Sequence, residues 1–181
     1  MNFRTAAWAA ALLLLVTAAR AEGGGERELS LCLGSALGEF RSSFTLGLSL
    51  NLPAGDGLRL EPELFYYYDP EEPSYTPGLA VTSTGLSAGV SVLLRWEFAG
   101  GRIVLDAGIG WGILHVSETR EVDVLREFTS RVSSEPYVGP AATVHFPLDG
   151  RSGVRFDYRL LFIPWDGRTI PRLSLGYALR Y

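Results

Sequence analysis

Val154-Arg155-Phe156-Asp157-Tyr158-Arg159-Leu160-Leu161-Phe162 alternates apolar and polar side chains almost without a break. Successive side chains of a β-strand point to opposite faces. As a strand, this stretch puts Val154, Phe156, Tyr158, Leu160 and Phe162 on one face and Arg155, Asp157 and Arg159 on the other.

The same period runs outward through the chain, from Glu28 onward, with no competing helical period. Downstream, Leu173, Leu175, Tyr177, Leu179 and Tyr181 oppose Arg172, Ser174, Gly176, Ala178 and Arg180. Upstream, Leu86, Ala88, Val90, Val92, Leu94, Trp96 and Phe98 oppose Ser87, Gly89, Ser91, Arg95 and Glu97. Leu58, Leu60, Leu64, Tyr66 and Tyr68 oppose Arg59, Glu61 and Glu63. Ile103, Leu105, Ile109, Trp111 and Ile113 oppose Arg102, Asp106 and a run of glycines. Eight strands are predicted: Glu28–Leu37, Ser43–Leu52, Leu58–Tyr68, Gly85–Phe98, Arg102–Val116, Tyr137–Phe146, Val154–Ile163 and Ile170–Tyr181. They are longer than the ~5–6 residues usual in soluble sheets and match the ~9–11 of a tilted membrane strand. Pro62, Pro140 and Pro171 fall inside predicted strands, where each removes a ladder donor, so each is expected at a bulge or a strand end.

The connections alternate in length. Residues 53–57, 99–101 and 147–153 are compact and rich in Gly, Pro and Asp. Residues 69–84 and 117–136 are long, and both are predicted as loops at the opposite end. Residues 38–42 and 164–169 belong to that end but are short.

An apolar face of this kind is either a buried core or a lipid surface, and a soluble barrel or sandwich is the competing fold. Three features favour lipid. Trp96, Phe98, Phe146 and Tyr181 sit at the short-turn ends, and Tyr66, Tyr68, Trp111 and Phe162 toward the other, as two aromatic girdles would. The opposite face is small and charged. Arg59, Arg95, Arg102, Arg155, Arg159, Arg172 and Arg180 mix there with Glu61, Glu63, Glu97, Asp106 and Asp157, an ion-pair network fit to fill a narrow lumen. The last strand alternates to a terminal aromatic residue.

The 181 residues begin with Met1–Ala21, which reads as a cleaved signal peptide: Arg4, an apolar run over 6–19, then Ala19-Arg20-Ala21. Residues 22–181 are then one barrel domain outside the cytoplasm. Losing Arg4 and Arg20 takes the net charge from −4 to −6, which argues against a nucleic-acid partner. The single cysteine, Cys32, can form no internal disulfide and no thiolate cluster, and no metal or cofactor is expected.

This combination resembles the small bacterial outer-membrane barrels of the OmpA-barrel, OmpX and OmpW families. The resemblance implies an all-β, eight-stranded, antiparallel up-and-down transmembrane barrel. It implies outer-membrane lipid and the outer-membrane assembly machinery as partners, the latter reading the terminal aromatic strand. It also frames three functions. The first is a structural or surface-contact barrel, binding a host or surface ligand through residues 69–84 and 117–136. The second is a narrow solute channel of the OmpW kind. The third is a lipid A hydrolase: His115-Val116-Ser117 resembles the His-x-Ser of the PagL family, with Glu118, Glu121 or Asp123 as orienting acid. Glu118 stands where that family has Asn, and the pair lies far from the C-terminus. The structural role is the expectation, with no enzymatic activity.

Overall fold

A computed structural model describes residues 26–37, 42–73, 79–122 and 127–181. The signal-peptide stretch lies outside the described residues. Eight antiparallel strands pair in chain order and β1 closes on β8. They are β1 Glu28–Leu37, β2 Ser42–Pro53, β3 Leu58–Pro73, β4 Leu79–Phe98, β5 Ile103–Val122, β6 Glu127–Pro147, β7 Ser152–Ile163 and β8 Arg168–Arg180. All eight predicted strands are present and the antiparallel up-and-down order holds.

The tight turns are built by residues that accept a left-handed backbone. Between β4 and β5, Ala99, Gly100 and Gly101 have φ of 51°, 69° and 82° in succession. Only glycine takes such angles without strain, so two of the three being glycine makes the turn cheap. Asp149 shapes the β6–β7 turn by accepting the amides of Arg151 and Ser152 at 2.7 and 2.5 Å. Those bonds hold its carboxyl below the usual aspartate range. These turns share one end of the barrel with the start of β1 and the end of β8, where Arg27 and Tyr181 exchange backbone hydrogen bonds.

The expected long loops are corrected at the other end. Residues 69–73 continue β3, 79–84 begin β4, 117–122 continue β5 and 127–136 begin β6. The strands of this side have 16, 20, 20 and 21 residues. That is up to twice the ~9–11 that cross a bilayer. Their neighbours do not follow: β2 stops pairing with β3 at Phe44–Tyr68, and β7 first meets β6 at Val138–Phe162. A four-stranded wall therefore stands on one side of the rim, with a register shift between Asp69 and Glu72.

The prolines interrupt ladders. Across Pro62 the β2–β3 pairing lapses between Ser49–Glu63 and Leu52–Leu60. Across Pro140 the β6–β7 pairing lapses between Val138–Phe162 and Ala141–Arg159. Pro171 lies just beyond Ala36–Arg172, the last β1–β8 pair, so it costs β1 nothing.

Burial is inverted relative to a soluble barrel. The outward Leu31, Leu46, Ile109, Phe156 and Leu175 are exposed, whereas Glu61, Arg155, Asp157 and Arg172 are buried. Polar groups inside and hydrocarbon outside is the arrangement a bilayer demands. All eight girdle aromatics lie on the outer face. Phe146 meets Phe156 edge to face at 6.0 Å.

Small inward residues make room for large ones. A Cβ at Gly47 would lie 2.4 Å from the Phe65 ring. Gly47→Val is expected to cost roughly 1–3 kcal/mol by overpacking. The check is the urea midpoint of the protein refolded in vesicles, with no shift from wild type counting against this packing.

Candidate functional site: the lumen and its outer mouth

The inward face is a stack of layers. Nearest the short-turn end, Arg95 grips Asp106 bidentately, with Nε–Oδ1 2.8 Å and Nη2–Oδ2 2.7 Å. The amide of Asn51 donates to Asp106 at 3.1 Å and to Glu61 at 3.2 Å, joining this pair to the next layer. His145 Nδ1 lies 3.0 Å from Glu28 and 3.2 Å from Arg180 Nη2. Glu28 and Arg180 are also register partners across the closing β1–β8 seam.

At mid-height Arg155 is the hub. It contacts Asp157 on its own strand, reaches Glu61 across the lumen at 3.0 Å, and donates to Ser30 at 3.1 Å and Thr143 at 3.2 Å. Arg159 contacts the same Glu61 and donates to Glu63 at 3.3 Å. Arg172 donates to Glu63 at 2.6 Å and to the Tyr67 hydroxyl at 3.1 Å. Its guanidinium lies over Phe65, 3.5 Å from the ring centre. Each of these carboxylates thus serves more than one arginine. A buried charge is tolerable only with such pairing and hydrogen bonding.

Above this lies an apolar layer. Phe65, Tyr67, Leu114, Tyr137, Leu161 and Ile163 form one buried cluster. Tyr137 turns its hydroxyl down to donate to Glu63 at 3.4 Å, tying the two layers together.

The structure brings together Glu61, Glu63, Arg95, Asp106, Arg155, Asp157, Arg159 and Arg172. Arg59 and Arg180 stand at the mouth on the short-turn side, where Arg59 donates to the Glu26 carbonyl at 2.9 Å. Two predicted members are corrected. Glu97 is exposed at that mouth, and Arg102 is exposed in the β4–β5 turn rather than in a strand. Alternation alone assigns them inward, and it cannot say where a strand leaves the barrel. Sequence reasoning misses Glu28, Asn51, Tyr67, Tyr137 and Thr143 as members of the network, while His145 reads from its parity as an inward hydrogen-bonding residue near the short-turn rim. All have inward parity, which is the signal that could have found them.

Among the described residues His115 is hydrogen-bonded across to β6 and not to Ser117. Its Nδ1 lies 2.9 Å from the Ser134 hydroxyl on the neighbouring strand. Glu118 is on the opposite face, lining the outer mouth. The side chains of Glu121 and Asp123 lie outside the described residues.

No known protein family's sequence profile matches the chain, and no curated protein matches it in sequence. The resemblance is one of architecture. Neisserial surface protein A superposes with a TM-score of 0.63 at 14% identity, covering 88% of this chain and 100% of its own. Ail, the attachment invasion locus protein of Yersinia pestis, gives 0.63 at 12%, covering 87% and 99%. A major outer membrane protein from Thermus thermophilus gives 0.63 at 12%, covering 86% and 99%. The fold is that of the small outer-membrane β-barrels. Its apolar exterior is that of a membrane-spanning barrel. At such identities the likeness carries the fold and no residue of the site.

Proposed function

We propose that this outer-membrane barrel is closed to solutes and works by surface contact at its outer end, without catalysis. One observation supports the reading: two successive layers of inward side chains are buried. The ion-pair hub and the apolar layer above it are both buried, with Arg155 at 1%, Glu61 at 0% and Leu161 at 1% exposure. An eight-stranded barrel is only wide enough to be filled by side chains. The wall of β3–β6 supports the contact role, because strands carried past the bilayer serve no purpose in spanning it. Ail has been solved in complex with the heparin analogue sucrose octasulfate, so a barrel of this plan can bind a ligand. The non-catalytic reading is supported by His115, which meets Ser134 and faces away from Glu118.

Conductance tests the closure. The purified barrel in a planar bilayer is expected to give no stepwise current in symmetric salt. Discrete, reproducible current steps would replace this reading with the narrow solute channel.

A further inference from the structure

The filled lumen has a consequence at its outer end, because it turns the mouth into a cup with a floor. Two cavities meet there, sharing Val116 and Arg168. The deeper, of about 160 Å³, is floored by Ala36, Tyr67, Leu114 and Ile170, the top of the apolar layer. The outer, of about 320 Å³, is walled by polar groups of β5 and β6 and of the β7–β8 turn. A concave apolar surface with a few convergent polar groups is the usual form of a small-ligand site, and barrel mouths are a usual place for one.

The polar wall carries both signs, but its carboxylates are already engaged. Arg168 donates to Glu135 at 2.6 Å and pairs with Asp166. Glu118 also has a partner. Arg131, opposite Glu118 in the β5–β6 register, is exposed on this wall. Among the described residues no hydrogen bond or ion pair engages it. A guanidinium offers five N–H donors and no acceptor, so what it lacks is an anion.

We propose that the outer mouth binds a small amphipathic anion, with its apolar part on the Tyr67–Leu114–Ile170 floor and its carboxylate, phosphate or sulfate on Arg131. This inference rests on the closed-lumen reading, since an open pore would have no floor. The two are tested by different measurements.

The test is titration of the isotope-labelled full barrel, in nanodiscs of zwitterionic lipid, with 3-phenylpropionate, 3-phenylpropanol and 3-phenylpropylammonium. The readout is the set of backbone amide shifts. The carboxylate is expected to shift residues 84–85, 114–116, 131–135 and 168–170 saturably, and to bind about tenfold more tightly than the alcohol. Arg131→Gln should erase that preference, leaving the two equal. Val116→Trp, which fills the junction of the two cavities, should abolish the shifts for both. Arg131→Gln is an exposed change that spares the barrel, so it tests the anion contact even if Val116→Trp folds poorly. The proposal is overturned if the three probes bind alike, if the cation binds best, or if the shifts spread over the lipid-facing amides. Current through the bilayer bears on the closed lumen alone.

Discussion

Arg155→Met is expected to destabilise the barrel by about 3–5 kcal/mol, the cost of leaving buried charges without a partner. The side chain is fully enclosed, and Asp157, Glu61, Ser30 and Thr143 all accept from it. Met is close in volume, so the change removes the charge and the donors more than the packing. Glu61 and Asp157 would then share Arg159 alone at mid-height. Unfolding of refolded protein in vesicles by urea measures the loss. Loss of the folded form's heat-resistant gel mobility at lower temperature would report it independently. The second arm is Glu61→Gln in the Arg155→Met background. Removing the orphaned charge should restore part of the loss, so the two changes together cost less than their sum. Arg102→Gln, in the exposed turn, is the control and should leave the midpoint in place. An Arg155→Met barrel as stable as Arg102→Gln would mean that the hub holds nothing together.

That network is only half legible in the sequence, for a physical reason. Alternation tells which side chains point inward, so Arg155, Asp157 and Arg159 can be assigned to one face from their spacing. It does not tell which inward groups meet across the lumen. Glu61 reaches Arg155 because strand tilt and the closing register bring β3 opposite β7, and that offset is a property of the whole barrel. The pairing of His145 with Glu28 escapes the sequence for the same reason: their contact joins β6 to β1.

The strand ends fail differently. Alternation arises only where one face meets lipid and the other the lumen. Beyond the bilayer both faces meet water, and the period disappears. Ser117-Glu118-Thr119-Arg120 and Thr129-Ser130-Arg131-Val132-Ser133-Ser134-Glu135 carry polar residues on both sides, so they read as loops although they continue β5 and β6. The position where alternation stops is therefore a marker of the membrane boundary, not of the strand's end. His115 and Ser134 stand at that boundary on the outer face.

The same boundary sets the second large effect. Ile109 lies on the outer face of β5 midway between Ile103, beside the short turn, and His115. Ile109→Arg should cost roughly 2–4 kcal/mol in vesicles, because the guanidinium must enter hydrocarbon at the midplane. Ile103→Arg, near the interface, should cost about 1 kcal/mol or less. In both positions the native side chain is already exposed, 54% for Ile109 and 37% for Ile103, so neither change opens a cavity in the protein. A solvated surface would tolerate the two alike, and would prefer arginine to isoleucine. The steep dependence on height is thus a property of the lipid, and it separates a membrane barrel from a soluble one of the same topology. Equal midpoints for Ile109→Arg and Ile103→Arg would contradict the bilayer placement. A cost at Ile109 that vanished in a mild detergent, where the belt can deform around the charge, would support it further.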